Sequence, residues 1–284
     1  MIWDVQHGSA AYLRTPTGKH IVIDVGVGSM MKPASATFSP LWQLRNEYDI
    51  PSLDALILTH PHRDHLDDIG NLNLLYPKAL VMPRHIPEKV IRAGNKPGDQ
   101  PIIDEYLKLL RAGVGQQMPP HLNPHSRDVT GLDGLHVFVP DTYTGTNLNN
   151  HSLVVVIKYA GSTILLPGDN EAASWAELLM QPRFVEAIKG TNVLIAPHHG
   201  REAGYSSDLM AKISPKLVII SDTDHGSTSV TDKYYTHAAG WNIWSRSKKE
   251  YETRYCVTTR SDDSIVLDMY RADDGKNRLN VTID

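Results

Sequence analysis

The chain has 284 residues, 41% hydrophobic and 21% charged, with a formal net charge of −4. That composition is ordinary for a folded globular chain with a sizeable core, and the acidic balance argues against a life of long, non-specific nucleic-acid binding. A single cysteine, Cys256, excludes an internal disulfide framework and a cysteine-based zinc site. With no basic leader ahead of an apolar stretch, and no apolar run approaching about 18 residues, we expect a cytoplasmic chain without signal peptide or membrane span.

Short apolar runs predict strands over 11–14 and 20–25, split by the turn Pro16-Thr17-Gly18, and a helix over 41–48. Residues 53–59 (LDALILT) are a short apolar run followed by polar residues, which predicts a buried strand. Helical spacing then covers 66–75, ending before Pro77, and 79–82 is again a strand. The stretch 84–130 is less regular, with helical spacing only over 102–110, and is expected to be an insertion near the mouth of a site. Strands follow over 135–139, 153–159 and 163–166, helices over 175–180 and 184–188, and a strand over 192–196. The remainder predicts a helix over 208–213, a strand over 217–221, a helix over 232–239 and strands over 255–259 and 264–269. No low-complexity linker divides the chain, so residues 1–284 are expected to form one domain of two packed sheets with helices outside.

Polar clusters recur where these strands end, the place at which layered folds build sites. Asp24 ends the second strand; His60, His62, Asp64 and His65 follow the third; Asp169, the pair His198-His199 and His225 each follow a later one. In an extended segment residues two apart share a face, so His60 and His62 can point at one metal, with Asp64 and His65 at the following turn serving a second nearby. Imidazole and carboxylate donors suit zinc, and manganese or iron as well. Asp169 can offer one oxygen to each metal. The other histidines (His7, His20, His85, His121, His125, His136 and His237) read as ordinary surface or core residues, and Asp67 and Asp68 as caps or solvated groups.

The run His60-Pro61-His62-Arg63-Asp64-His65 resembles the signature of the metallo-β-lactamase superfamily, and the resemblance extends over nearly the whole chain. It implies an α/β fold, the αββα sandwich of two mixed sheets with helices on the outer faces. It also implies that Asp24 supports the metal loop without being a ligand, and that Asp169 in Pro167-Gly168-Asp169 is the bridging carboxylate. A narrower resemblance is to the ComEC-like (competence protein) metallo-hydrolase group, carried by Asp4-Val5-Gln6-His7-Gly8-Ser9-Ala10, by Asn149-Asn150-His151-Ser152-Leu153-Val154 and by His198-His199-Gly200, with Asp224-His225-Gly226 standing for a later element. Two departures matter. Many ComEC-like members carry Asp where this chain has His62, and the superfamily's usual third-motif histidine is replaced by Asn149, which leaves the third ligand of the first metal open between Asn149 and His151. For the second metal the resemblance favours His198 and His225 as ligands and gives His199 to the substrate.

The implied reaction is hydrolysis by a hydroxide activated between two divalent metals, with Asp64 both ligand and orienter, and His199 and Asn149 assisting at the substrate. The expected substrate is a phosphodiester: a small molecule, a nucleotide, or a short or single-stranded nucleic acid, which makes the chain a phosphodiesterase or nuclease. The alternatives are a carbonyl hydrolase acting on a lactam, lactone or thioester, and a degenerate scaffold that binds without catalysis. Phosphate binding needs cationic or N–H donors at the mouth, and Arg63, Lys158, Arg201 and the Lys248-Lys249 pair are the candidates.

Overall fold

The computed structural model describes residues 1–27, 38–113, 125–140, 142–223 and 229–284. Strands β1 (Ala10–Arg14), β2 (His20–Val25), β3 (Ala55–Ile57) and β4 (Leu80–Val81) form the first sheet in that spatial order. The second sheet has six strands: β5 (Gly134–Phe138), β6 (Val154–Tyr159), β7 (Ser162–Leu166), β8 (Val193–Ile195), β9 (Leu217–Ile220) and β12 (Cys256–Thr258), ordered β12-β9-β8-β7-β6-β5. A third sheet, ordered β11-β10-β14-β13, is made of β10 (Trp241–Ser245), β11 (Glu250–Arg254), β13 (Val266–Arg271) and β14 (Asn277–Ile283). Ile2 bridges Ala11 on one side and Ile265 on the other, so the third sheet continues the first into one layer.

The period-two alternation of strand side chains sorts the residues into layers. Ile21, Ile23, Ala55 and Ile57 join Val155, Ile157, Ile164, Val193 and Ile219 in a core between the sheets. Their neighbours Val22, Leu56 and Leu58 face outward to the helix Gln100–Arg111 and the helix Pro40–Asn46. On the other side Val154, Val156, Leu165 and Leu194 face the helices Ala172–Leu178, Pro182–Ile188, Ser207–Ile213 and Thr231–His237. The result is the αββα sandwich. β2, β3 and β4 run parallel in the first sheet, as do β7, β8, β9 and β12 in the second, which brings their C-terminal ends to one edge of both layers.

The structure departs from the sequence expectations in four places. The single helix expected over 66–75 is a short α-helix, Arg63–Leu66, followed by a 3-10 helix, Ile69–Leu74. The i→i−4 ladder cannot continue because the Asp64 carbonyl accepts from Ser9 N (3.1 Å) and Asp68 N donates to Val25 O (2.8 Å). Asp68 is buried, not solvated, and its carboxylate takes Leu41 N (2.8 Å) and the Ser39 hydroxyl (2.7 Å). Strands β10, β11 and β14 were not expected; β14 buries only Leu279, Val281 and Ile283 and is otherwise polar. Within 84–130 the described part holds helices Glu88–Ala93, Gln100–Arg111 and Arg127–Thr130, and Asn95 Nδ2 reaches Pro61 O (2.8 Å), tying this segment to the histidine loop.

Candidate metal centre

The histidine loop leaves β3 and is fixed by Asp24 at the end of β2. Asp24 sits in the left-handed region (φ 58°), which turns its carboxylate under the neighbouring strand. There it accepts from Thr59 N (2.7 Å), the Thr59 hydroxyl (2.8 Å) and His65 Nδ1 (2.7 Å). The carboxylate fixes the His65 tautomer and aims Nε2 away, as a supporting residue behind a metal ligand does. Close backbone approach completes the anchor. A Cβ on Gly26 or Gly8 would collide with the Asp64 carbonyl oxygen, so both positions require glycine.

The second sheet supplies the opposite wall. Asp169 follows β7, and its N–H donates to Ser152 Oγ (3.1 Å). After β8, Pro197-His198-His199-Gly200 forms a tight turn in which His198 and His199 both have positive φ (49° and 54°). Two successive non-glycine residues there cost about 1–3 kcal/mol each, and such strain is kept where it places functional groups.

Four of these residues converge. One donor atom from each of Asp64, His65, Asp169 and His199 lies within 4.8 Å of the others, and Asp169 and His199 are buried. His65 Nε2 is 3.1 Å from Asp169 Oδ1; His199 Nε2 is 3.3 Å from Asp64 Oδ2 and 3.5 Å from Asp169 Oδ2. These distances are short, yet the ring geometry makes no hydrogen bond of them, and both Nε2 atoms stay buried without one. Nitrogens aimed between carboxylates but not bonded to them fit a divalent cation. His60 and His62 stand at the edge of this group: His60 Nε2 is 2.9 Å from His62 Nδ1 and 3.8 Å from Asp169 Oδ2. His198 Nε2 is 3.9 Å from Asp169 Oδ2, and its Nδ1 is 3.0 Å from Glu171 Oε1.

The electrostatics point the same way. Burial would depress both His65 and His199, but the facing carboxylates override it, holding His65 well above its usual value and His199 at about 9. Burial would raise Asp64 and Asp169, but the imidazoles around them hold both well below the carboxylate range. His60 and His62 are driven down chiefly by burial. In the metal-free chain, protons therefore hold the carboxylates together, and metal binding must displace them.

Not every residue singled out from sequence reaches this cluster. Asn149 does not touch it; its Nδ2 donates to Glu171 Oε1 (2.8 Å), the carboxylate that faces His198. His151 pairs with His85 (2.9 Å) and Gly145 O (2.9 Å) and is likewise outside. His199, assigned to substrate from sequence, has its Nε2 inside the four-residue group, whereas His225 lies outside the described residues. Of the cations, Arg63 is tied to Asp67 and Asp99, Lys248 pairs with Glu252, and Lys158 lines a separate groove with Arg183 and His136. Arg201 is at the site, with NH2 3.1 Å from His7 Nε2 and NH1 3.5 Å from His198 Nε2.

Sequence reasoning missed two residues. His7 Nε2 is 3.5 Å from Asp64 Oδ2 and its ring lies 4.5 Å from that of His199. Burial, then the charge of His199, pushes its pKa down to about 4. The signal is the opening segment Asp4 to Ala10, which carries the family resemblance but has no ligand spacing of its own. Glu171 was legible only as the second acid after Asp169.

A family profile described as the metallo-beta-lactamase superfamily matches residues 3–221. ComE operon protein 3 of Bacillus subtilis (strain 168) is 30% identical over 183 residues, covering 61% of this chain and 20% of that protein. Recombination protein 2 of Haemophilus influenzae is 25% identical over 220 residues, covering 77% of this chain and 23% of that one. The chain thus spans about a fifth of the length of these curated relatives. A crystal structure described as a new diphosphatase from the PhnP family overlays with a TM-score of 0.36 at 12% identity, covering 76% of this chain and 72% of that one.

Proposed function

This chain belongs to the metallo-beta-lactamase superfamily of metallo-hydrolases, and we propose that it is a phosphodiesterase or nuclease working with two divalent ions, zinc in the first instance. The observation that carries the reading is the convergence of Asp64, His65, Asp169 and His199, with two buried ring nitrogens left unbonded between carboxylates. Asp64, His65, Asp169 and His199 would hold one ion, and His60, His62 and His198 would hold the other. When bound, the ions acidify a water and offset charge on the phosphoryl oxygens.

The remaining work belongs to the side chains. Asp64 accepts a hydrogen bond from the attacking water and so directs its lone pair. Asp24 fixes the tautomer of His65, and Glu171 places a carboxylate 3.0 Å from His198 Nδ1, sparing the site reorganisation as charge develops. Burial of the cluster strengthens each of these interactions. The choice of phosphodiester over carbonyl substrate is supported by Arg201 at the cluster and by the ComEC-like motifs.

The test is elemental analysis followed by hydrolysis of bis(p-nitrophenyl) phosphate, nitrocefin and a thioester by the metal-replete protein. About two ions per chain and preferential diester cleavage are expected. Efficient lactam or thioester turnover with no diester cleavage sinks the phosphodiesterase reading, and a metal-free inert protein sinks catalysis altogether. Among the described residues no helix is long and apolar enough to cross a membrane.

A further inference from the structure

Arg201 is an unusual neighbour for a metal cluster. It comes one glycine after the strained histidine pair and is partly buried, and its backbone bridges to Ser229. Its guanidinium makes two contacts with imidazole nitrogens, at His7 Nε2 (3.1 Å) and His198 Nε2 (3.5 Å). Its Nε is buried without a hydrogen bond, and among the described residues no carboxylate pairs with it. A guanidinium only donates, so His7 Nε2, the nearer of the two at 3.1 Å, must present its lone pair to it, while His198 Nε2 at 3.5 Å keeps its own for the ion assigned to it. For His7 this has a further consequence: with Nε2 accepting from Arg201, it does not donate to Asp64 Oδ2 3.5 Å away, and Asp64 keeps that oxygen for its other partners.

Neutral rings orient a guanidinium but do not neutralise it. Beside a cluster that holds divalent ions, an unneutralised cation is repelled, and its placement becomes favourable only when an anion lies between the two. The planar fork of arginine matches two oxygens of a phosphate better than one carbonyl oxygen.

We propose that Arg201 is the substrate clamp of this site, binding the non-bridging oxygens of a monoanionic phosphodiester, and that His7 is the residue that positions it. This rests on the phosphodiesterase reading and adds specificity to it: the same metals without Arg201 retain the power to activate water but lose the preference for an anionic substrate. His7, its ring tilted against that of His199 at 4.5 Å between centroids, holds the guanidinium on the side of the turn rather than letting it swing to solvent.

The experiment measures inorganic phosphate binding to metal-replete wild type and to Arg201→Gln, Arg201→Lys and His7→Gln by calorimetry, alongside metal content and the KM and kcat for bis(p-nitrophenyl) phosphate. Loss of a charged fork should weaken phosphate binding and raise KM about ten- to a hundredfold in Arg201→Gln, with metal content unchanged. Arg201→Lys, which keeps the charge without the fork, should lie between it and wild type. His7→Gln, which can still accept from the guanidinium through its amide oxygen, should recover most of the affinity lost in a companion His7→Phe variant. Equal phosphate affinity in wild type and Arg201→Gln, with both fully metallated, overturns the clamp while leaving the phosphodiesterase reading standing. A metal-replete wild type that neither binds phosphate nor cleaves the diester overturns the reading beneath it as well. Loss of metal from both Arg201 variants also overturns the proposal, because it would make Arg201 a structural support of the turn.

Discussion

The two walls of the cluster are held in place by different means. On the first sheet, the loop carrying His60, His62, Asp64 and His65 is tied down by one buried carboxylate that accepts three hydrogen bonds, and by two glycines that admit the Asp64 carbonyl. On the second sheet, His198 and His199 are held by the backbone itself, in two successive left-handed residues. The first wall shares that strain at Asp24, but three hydrogen bonds hold it without an occupant, whereas the strain of the second wall is held only as far as its surroundings impose it. The first wall is therefore preorganised, and the second stands to gain more from a ligand that draws its side chains inward.

Asp169 is where the walls meet, and breaking it should have the largest effect. It lies 3.1 Å from His65, 3.5 Å from His199, 3.8 Å from His60 and 3.9 Å from His198. Asp169→Ala should lower kcat on a diester by about three orders of magnitude, since on the proposed reading it removes a carboxylate that both ions would share. Its circular dichroism should remain that of wild type, because the sheets bury their cores elsewhere. A variant retaining most of the turnover would show that Asp169 does not link the walls.

Proton occupancy separates the walls next. In the metal-free chain His199 has a pKa of about 9 against an ordinary 6.5, held up by the carboxylates against burial. A raised folded-state value gives stability that is fully present below 6.5 and is lost as pH rises through about 9. His7 works oppositely: with its value lowered to about 4 by burial, it contributes stability present above 6.5 and lost as pH falls toward 4. The metal-free protein should thus be most stable near neutral pH and lose stability on the alkaline side as His199, and His65 with it, gives up its proton. Metal binding needs the deprotonated ring, so the loaded protein should lack that alkaline loss. Melting temperatures of both forms at pH 6.5 and 9.5 decide it; parallel curves would mean that His199 is not where the metal displaces a proton.

A matched pair of supporting-residue variants compares the walls directly. Asp24→Asn removes acceptor capacity behind His65, and Glu171→Gln does the same behind His198. Each should weaken metal binding about ten- to a hundredfold. Only Asp24→Asn should also lower the stability of the metal-free protein, because its partners Thr59 and His65 are buried whereas Glu171 is partly exposed. Equal loss of stability in both would erase the distinction between a preorganised and a strained wall.

The same contrast explains what the sequence made legible. The first wall is local: four ligand-type residues in six, directly after a buried strand, announce themselves by spacing. The layers were legible because strand alternation is local too, as Ile21, Val22 and Ile23 show. The second wall depends on tertiary contacts. Nothing in His198-His199 states that both residues are left-handed, so which ring enters the cluster was not readable. His7 lies 57 residues before Asp64 and reaches it only because β1 and β2 fold back over the loop. The helix expected over 66–75 failed for the same reason, since Ser9 and Val25 take backbone groups that a local reading assigns to the helix.

Asn149 offers the smallest effect and the finest test. Its position in the motif Asn149-Asn150-His151 marked it as a catalytic group, yet its amide touches only Glu171 Oε1 (2.8 Å), while Asn147 independently holds Oε2 (2.8 Å). Asn149→Ala removes one of two amide donors to that carboxylate, and with it a buried Oδ1 that has no hydrogen bond of its own. The lost donor and the lost unsatisfied acceptor oppose each other, so kcat should fall only about two- to tenfold. Because Asn149 acts through Glu171 and His198, the loss should be accompanied by weaker metal binding, and excess metal in the assay should restore it. Asn149→Asp should be worse than Asn149→Ala, since a second carboxylate against Glu171 repels it and loosens its contact with His198. Should Asn149→Ala instead lose a hundredfold or more at saturating metal, Asn149 would have to contact the substrate, and the chain from Asn149 through Glu171 to His198 would not be its role.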